Sequence, residues 1–137
     1  MKIRDVMSKD VQVALPTDTI QDVAARMGSG DFGFIPVADG ERLVGTITDR
    51  DIAVRAVGAG LGPTTTVSQA MSGQVITVLD TDPLQTALDA MARGKIRRLP
   101  VVDKHERLVG VVSLGDLSTR VKEKYAGEAL ETISQPS

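Results

Sequence analysis

Glu41-Arg42-Leu43-Val44-Gly45 stands again, unchanged, as Glu106-Arg107-Leu108-Val109-Gly110, and the two copies anchor an alignment of the chain with itself. At an offset of 64 places, Met7-Ser8 falls on Met71-Ser72, Val11 on Val75, Leu15 on Leu79, Thr17-Asp18 on Thr81-Asp82, Gln21 on Gln85 and Met27 on Met91. The match continues through Gly30 on Gly94, Pro36-Val37 on Pro100-Val101 and Asp39 on Asp103. One extra residue near His105 then moves the offset to 65, and Asp51 falls on Asp116. An insertion confined to a polar turn, with both flanks left in register, is the behaviour of a duplicated structural unit.

Half of the chain, about 60 residues, buries too little surface to be more than marginally stable alone. The two halves are therefore expected to pack as one domain, for which 137 residues is an ordinary length. The sequence divides into a first unit at residues 1–62, a second at 63–125 and a C-terminal tail at 126–137.

Within the first unit, Val11 to Leu15 reads as a short strand, and Asp18-Thr19-Ile20-Gln21 as a helix start with Asp18 at the N-cap. Ile20, Val23, Ala24 and Met27 follow at i, i+3, i+4 and i+7, with Gly28 and Gly30 expected to close the helix. The second unit repeats this with Asp82 as cap, Pro83 in the first helical position, the stripe Leu84, Ala87, Leu88 and Met91, and Gly94. The spacing makes the methionines core residues. Two strands follow, Phe32 to Val37 and Leu43 to Thr48, joined through the hairpin signal Asp39-Gly40; their counterparts are Ile96 to Val102 and Leu108 to Ser113. His105 then falls in a solvated turn. A second helix, about Arg50 to Val57 and Gly115 to Lys124, completes each unit in the order β-α-β-β-α, and Gly58 to Thr66 forms the linker. The fold class is α+β.

Apolar residues make up 42% of the chain and charged ones 25%, with a net charge of −2, no Trp, one Tyr and two Phe. Such a balance lacks the basic field and stacking rings of a nucleic-acid binder, so no nucleic-acid partner is expected. No apolar run approaches the roughly 18 residues of a membrane span, and charges interrupt the opening segment where a signal peptide would be apolar. A cytoplasmic location without membrane association is the expectation. With no cysteine and one histidine, thiol chemistry and Cys/His metal sites are excluded, and no metal is expected.

Two segments carry candidate binding chemistry. Gly45-Thr46-Ile47-Thr48-Asp49-Arg50-Asp51 and Gly110-Val111-Val112-Ser113-Leu114-Gly115-Asp116 both place a hydroxyl at a helix start and a carboxylate three residues on. This is the spacing of a capping box, which serves the free amides of the first turn and needs no ligand. It is equally the arrangement in which a hydroxyl donates to phosphate and an Asp accepts from ribose hydroxyls. The second segment is Lys95-Ile96-Arg97-Arg98, opposite Asp31-Phe32-Gly33-Phe34 in the first unit. Strand alternation sends Arg97 and Arg98 to opposite faces unless the strand bulges. They read either as a solvated or subunit-contacting pair or as a phosphate grip.

These paired Gly-x-(Ile/Val)-(Thr/Ser)-x-x-Asp segments resemble the tandem cystathionine-β-synthase (CBS) domain pair, or Bateman module. So do the Pro-Val strands leading to Asp39 and Asp103, and the openings Asp5-Val6-Met7-Ser8 and Gln69-Ala70-Met71-Ser72. The resemblance spans about residues 3 to 121 and extends to small stand-alone bacterial CBS-pair proteins, some linked with stress responses. It implies two units packed by pseudo-two-fold symmetry around two clefts that hold adenosine ligands such as AMP, ADP, ATP or S-adenosylmethionine. By position, Asp116 would hold a ribose and Ser113 a phosphate or ribose, with Arg97 and Arg98 neutralising phosphate in that cleft. In the other cleft Asp51 and Thr48 would play the matching roles, with Arg97 reaching across. Phe32 and Ile96, with Gln12 and Ile76, would wall the adenine. Gly33 and Phe34 stand where the other unit has Arg97 and Arg98, so the second-unit cleft is expected to be the stronger phosphate site.

No residue pattern here supports turnover: Ser113 and Thr48 have no paired histidine base, and the Gly-rich linker lacks the Lys-Ser/Thr of a phosphate-binding loop. The expectation is a non-enzymatic regulatory module without catalytic residues or an obligatory cofactor. It would sense an adenosine nucleotide and signal through the conformation of a homodimer or of a protein partner. The resemblance implies a dimer through the second helices, to which Ile52, Val54, Val57, Leu114 and Leu117 could contribute. The alternative is a dimeric interaction scaffold with empty clefts.

Overall fold

The 3,4-spaced apolar residues of the first unit form helix α1 (Ile20–Gly30), which buries Ile20, Val23 and Met27. The computed structural model, which describes residues 1–120, 122 and 123, places its N-cap one residue later than the sequence suggests. Thr19 accepts the Asp22 N–H at 3.1 Å, because the Asp18 carboxylate is already turned back to the Leu15 N–H at 2.8 Å. In α4 (Leu84–Gly94), the equivalent helix, Pro83 is at the N-cap without a side-chain cap. Asp82 likewise turns back to the Leu79 N–H at 2.9 Å. The glycines do not close these helices either. The left-handed caps are Asp31 (φ 55°) and Lys95 (φ 53°), while Gly30 and Gly94 are the last helical residues. Their lack of a Cβ serves packing: at Gly30 it would strike the Phe32 ring, and at Gly94 it would lie 2.8 Å from Ile76 Cδ1.

After each helix comes an antiparallel pair. β1 (Phe34–Asp39) pairs with β2 (Arg42–Thr48), and β4 (Arg98–Val102) with β5 (Leu108–Ser113). Each pair slips register by a bulge, between Val37 and Ala38 and between Val101 and Val102. The strand expected at 11–15 reduces to a parallel bridge of Ala14 with Val37. Only Ala14 is buried there; Val13 and Leu15 face outward and make no ladder. Its counterpart is the two-residue β3 (Val78–Leu79), parallel to β4.

The second helices follow their strands directly. α2 (Asp49–Asp51) continues as a π-helical turn through Ile52–Val57, and residues 114–120 form α5. The expected end of α5 at Lys124 and the tail at 126–137 lie outside the described residues. At the turn carrying the extra residue, Asp103 accepts from Arg107 N–H (3.0 Å), His105 N–H (2.8 Å) and Arg107 Nε (2.8 Å). These donors, the Arg107 amide foremost, hold its carboxyl below the ordinary value despite some desolvation. His105 is exposed there.

Two cores form, one per unit, and each borrows from the other repeat. Val67 and Ala70 of α3 (Val67–Ala70), which opens the second repeat, are fully buried with Ile20, Val23, Ile35 and Ile47 of the first. Ile3, at the very start of the chain, is fully buried with Val78, Leu99, Val112 and Leu117 of the second. Matching backbone bonds pin both segments. Ile3 and Arg4 donate to the carbonyls of Asp82 and Asp80 at 2.9 and 3.0 Å; Val67 and Ser68 donate to those of Asp18 and Pro16 at 2.7 and 3.0 Å. Ser8 then exchanges two bonds with Val111, and Ser72 two with Thr46.

The crossing explains the last residue of the repeated pentapeptide. A Cβ on Gly45 would lie 2.6 Å from Met71 Sδ and 2.8 Å from the Ser72 carbonyl; on Gly110 it would lie 2.7 Å from the Ser8 carbonyl and 2.8 Å from Met7 Sδ. The two copies also meet each other. Arg42 bridges Arg107 antiparallel, and Leu108 N–H donates to the Glu41 carbonyl at 2.9 Å. A segment paired with its own copy about a pseudo-two-fold axis serves both sides with one sequence.

Candidate functional site

Among the cavities of the described residues, two are related by the repeat. The larger, about 610 Å³, is bordered by Thr48 and Asp51 from the end of β2 and α2, by Ile76 after the crossing segment, and by Ile96, Arg97 and Arg98 from the approach to β4. The smaller, about 360 Å³, is bordered by the equivalent positions Gln12, Phe32 and Phe34, together with Asp10, Val111 and Arg98. Phe34 and Arg98 line both.

The larger cavity unites residues from both units, and β4 starts only at Arg98. Arg97 precedes the strand, so alternation does not separate the two arginines, and both reach the same cavity. The left-handed turn at Lys95 brings a third cation to the wall and Arg50 a fourth, against the two carboxylates Asp49 and Asp51. Sequence reasoning missed Lys95, Asp49 and Arg50. The signal for the last two was their position inside the Thr48-to-Asp51 motif.

Thr48 and Asp51 form the capping box. Thr48 N–H donates to Asp51 Oδ2 at 2.9 Å, and Asp51 N–H to Thr48 Oγ1 at 3.0 Å. The arrangement leaves the Thr48 hydroxyl proton free to donate. Among the described residues, Asp51 Oδ1 pairs with Arg55 Nε at 3.7 Å, beyond hydrogen-bonding reach. One face of the pair is thus a donor and the other an acceptor. Ile76, 43% exposed, and Ile96 supply apolar surface opposite.

Ser113 and Asp116 form the same box, at 3.2 and 3.0 Å, yet neither lines the two cavities described above. The smaller cavity reaches Val111 and stops short of them. Arg97 and Arg98 both line the cavity of Thr48 and Asp51, the cleft into which Arg97 was expected to reach across, and Arg98 lines the smaller cavity as well. Among the described residues no cluster of three or more His, Asp or Glu side chains is placed to hold a metal ion.

Comparison with known proteins explains this geometry. The CBS domain family model matches residues 3–58 and again 67–123. The chain belongs to the CBS domain family. A relative from Bacillus subtilis, CBS domain-containing protein YhcV, is 40% identical over 133 residues, covering 96% of this chain and 94% of its own. Among solved structures, the CBS domain pair of protein MJ0100, in complex with 5'-methylthioadenosine and S-adenosyl-L-methionine, superposes with a TM-score of 0.79 at 29% identity. It covers 90% of this chain and 98% of that one. The CBS domain protein PAE2072 from Pyrobaculum aerophilum, complexed with AMP, gives a TM-score of 0.76 at 31% identity over 85% of this chain and 89% of that one. The two β-α-β-β-α repeats are thus two CBS units forming one CBS pair.

The surface expected to join two copies divides. Leu117 is fully buried in the second core and Ile52 packs on the first, whereas Val54, Val57 and Leu114 are exposed.

Proposed function

We propose that this CBS pair is a regulatory module, not an enzyme, that binds an adenosine nucleotide in the larger cleft. The observation carrying the reading is the meeting, in one 610 Å³ cleft, of a hydroxyl and a carboxylate from one unit with two arginines from the other. The volume suits a ligand of nucleotide size. Asp51 Oδ1 accepts from the ribose hydroxyls, the Thr48 hydroxyl donates to phosphate, Arg97 and Arg98 neutralise it, and Ile76 and Ile96 cover the base. AMP bound to the related protein PAE2072 supports this ligand class. Because the cleft walls come from both units, the ligand favours one arrangement of the pair and passes that preference to a homodimer or protein partner.

Thermal melts with AMP, ADP, ATP and S-adenosylmethionine test it. Ligand at about 100 times its dissociation constant adds roughly 2.7 kcal/mol. The shift should vanish in Asp51→Ala and Arg97→Ala and persist in Asp116→Ala. No shift with any of the four compounds refutes the sensor.

The mutual satisfaction of Thr48 and Asp51 favours one other reading, a scaffold with unfilled clefts that works through its outer surface. Val54, Val57 and Leu114 would supply its apolar contact with a second copy. Light scattering at high micromolar protein tests that contact, and a clean monomer removes it.

A further inference from the structure

The five methionines of the chain stand in three settings. Met27 and Met91 are buried in the two cores, and Met1 is 61% exposed at the start of the chain. Met7 and Met71 lie between these extremes, packed on the cores yet still in contact with solvent. They hold equivalent places in the two crossing segments, and each thioether covers the repeat glycine of the other unit. A Cβ on Gly110 would lie 2.8 Å from Met7 Sδ, and one on Gly45 would lie 2.6 Å from Met71 Sδ. Next to each sulfur is the bond pair that fastens its segment: Ser8 and Val111 exchange bonds of 2.9 and 3.0 Å, as do Ser72 and Thr46. Ser8 lines the smaller cavity and Ser72 the larger.

We propose that Met7 and Met71 are paired oxidation sites, and that conversion of their thioethers to sulfoxides by hydrogen peroxide releases the crossing segments and with them a wall of each cavity. The step is a two-electron oxidation of sulfur. A sulfur lone pair attacks one peroxide oxygen, and the S–O bond forms as the O–O bond breaks. The displaced hydroxide takes the proton from the transferred oxygen and leaves as water, so that peroxide is reduced by the two electrons that sulfur gives up. Nothing in this step depends on what the cavities bind.

Two features single out these sulfurs. Solvent contact admits a small oxidant, which close packing denies to Met27 and Met91. The second is the fit over the glycines. A space that holds a bare thioether against Gly45 or Gly110 has no room for an added oxygen, and the sulfoxide is polar where the thioether was apolar. Turning the oxidised side chain out to water relieves the clash and uncovers the glycine. Either way the neighbouring bond pair loses the cover that keeps water from it.

Brief treatment of the full chain with dilute hydrogen peroxide, read by peptide mass spectrometry, hydrogen exchange and thermal melting, tests the proposal. Met7 and Met71 should each gain one oxygen, later than Met1 and well before Met27 and Met91. The amides of Ser8, Val111, Thr46 and Ser72 should then exchange about tenfold faster or more, and the melting temperature should fall by about 3 °C or more. Methionine sulfoxide reductases acting on both epimers should reverse both changes. The double variant Met7→Leu/Met71→Leu, which conserves volume and carries no sulfur at these places, should pass through the same treatment with its melt and exchange unchanged. Oxidation of Met7 and Met71 no faster than that of Met27 and Met91, full oxidation at both with exchange and melt unaltered, or an equal loss in the double variant would each overturn it. So would failure of the reductases to restore the oxidised parent, whatever the stability of the variant.

Discussion

A single methyl group at Gly110 measures how tightly the crossing segments are held. Built onto the backbone, the Cβ of Gly110→Ala lies 2.8 Å from Met7 Sδ and 2.7 Å from the Ser8 carbonyl oxygen. The thioether can swing aside, since methionine is flexible. The carbonyl cannot, because Ser8 and Val111 exchange two hydrogen bonds of 2.9 and 3.0 Å. The methyl must push the leading segment off β5 by several tenths of an ångström. Overpacking of this kind costs about 1–3 kcal/mol. Two weakened hydrogen bonds add up to about 1 kcal/mol each, while replacing glycine in a strand returns about 0.5–1 kcal/mol. At the middle of these ranges the net loss is about 2 kcal/mol, a fall in Tm of roughly 6–8 °C for a domain between the 100- and 150-residue classes. Gly28→Ala is the control, because nothing lies within 4 Å of its Cβ inside α1. There the same methyl should stabilise by about 0.5–1 kcal/mol. Circular-dichroism melts of the two variants beside the parent decide the matter. If Gly110→Ala melts at or above the parent temperature, the close approach of the crossing segment is not as described.

Ile3→Ala, three residues from the start of the chain, should cost about 2–5 kcal/mol, readable as a lower urea midpoint, because Ile3 is fully buried in the second core. Val67→Ala should behave similarly toward the first core, although the smaller side chain makes its loss less. Asp103 has a depressed carboxyl pKa, so its contribution is complete above the unfolded value of about 3.9 and disappears as pH falls through the lower folded value. Melts from pH 6 downward should therefore show the advantage of the parent over Asp103→Asn closing only below about pH 4. Val57→Glu, at a side chain 67% exposed, should leave the melt unchanged and abolish any dimer seen by light scattering.

The repeat, the β-α-β-β-α order and most of the buried faces of α1 and α4 were readable because helical and strand periodicities are local: Val23, Met27, Ala87 and Met91 are core as their spacing requires, while Ala24, expected in the same stripe, is exposed. The helix caps were misplaced by a residue because Asp18 and Asp82 had a competing local partner, the amide three positions back. Gly30 and Gly94 were misread because their role is steric and involves side chains brought near by folding. The site showed the same division. Its residue types were legible in Thr48, Asp51, Arg97 and Arg98, but their grouping was not. The repeat placed Arg97 and Arg98 together beside Asp116, with Arg97 alone reaching across to Asp51, whereas both arginines line the cavity of Asp51. No periodicity in a single strand of sequence carries that exchange. The burial of Ile3 beside Leu117 is equally non-local.

The exchange of opening segments makes the molecule a weave, in which covalent continuity between the halves is almost superfluous. Residues 59–61 of the connecting loop are exposed, and a protease cut there would leave Ile3 still locked beneath one fragment and Val67 beneath the other. The severed pieces would have to unravel together before either could leave. A nicked preparation should therefore run as one particle on a native sizing column and as two bands only after denaturation.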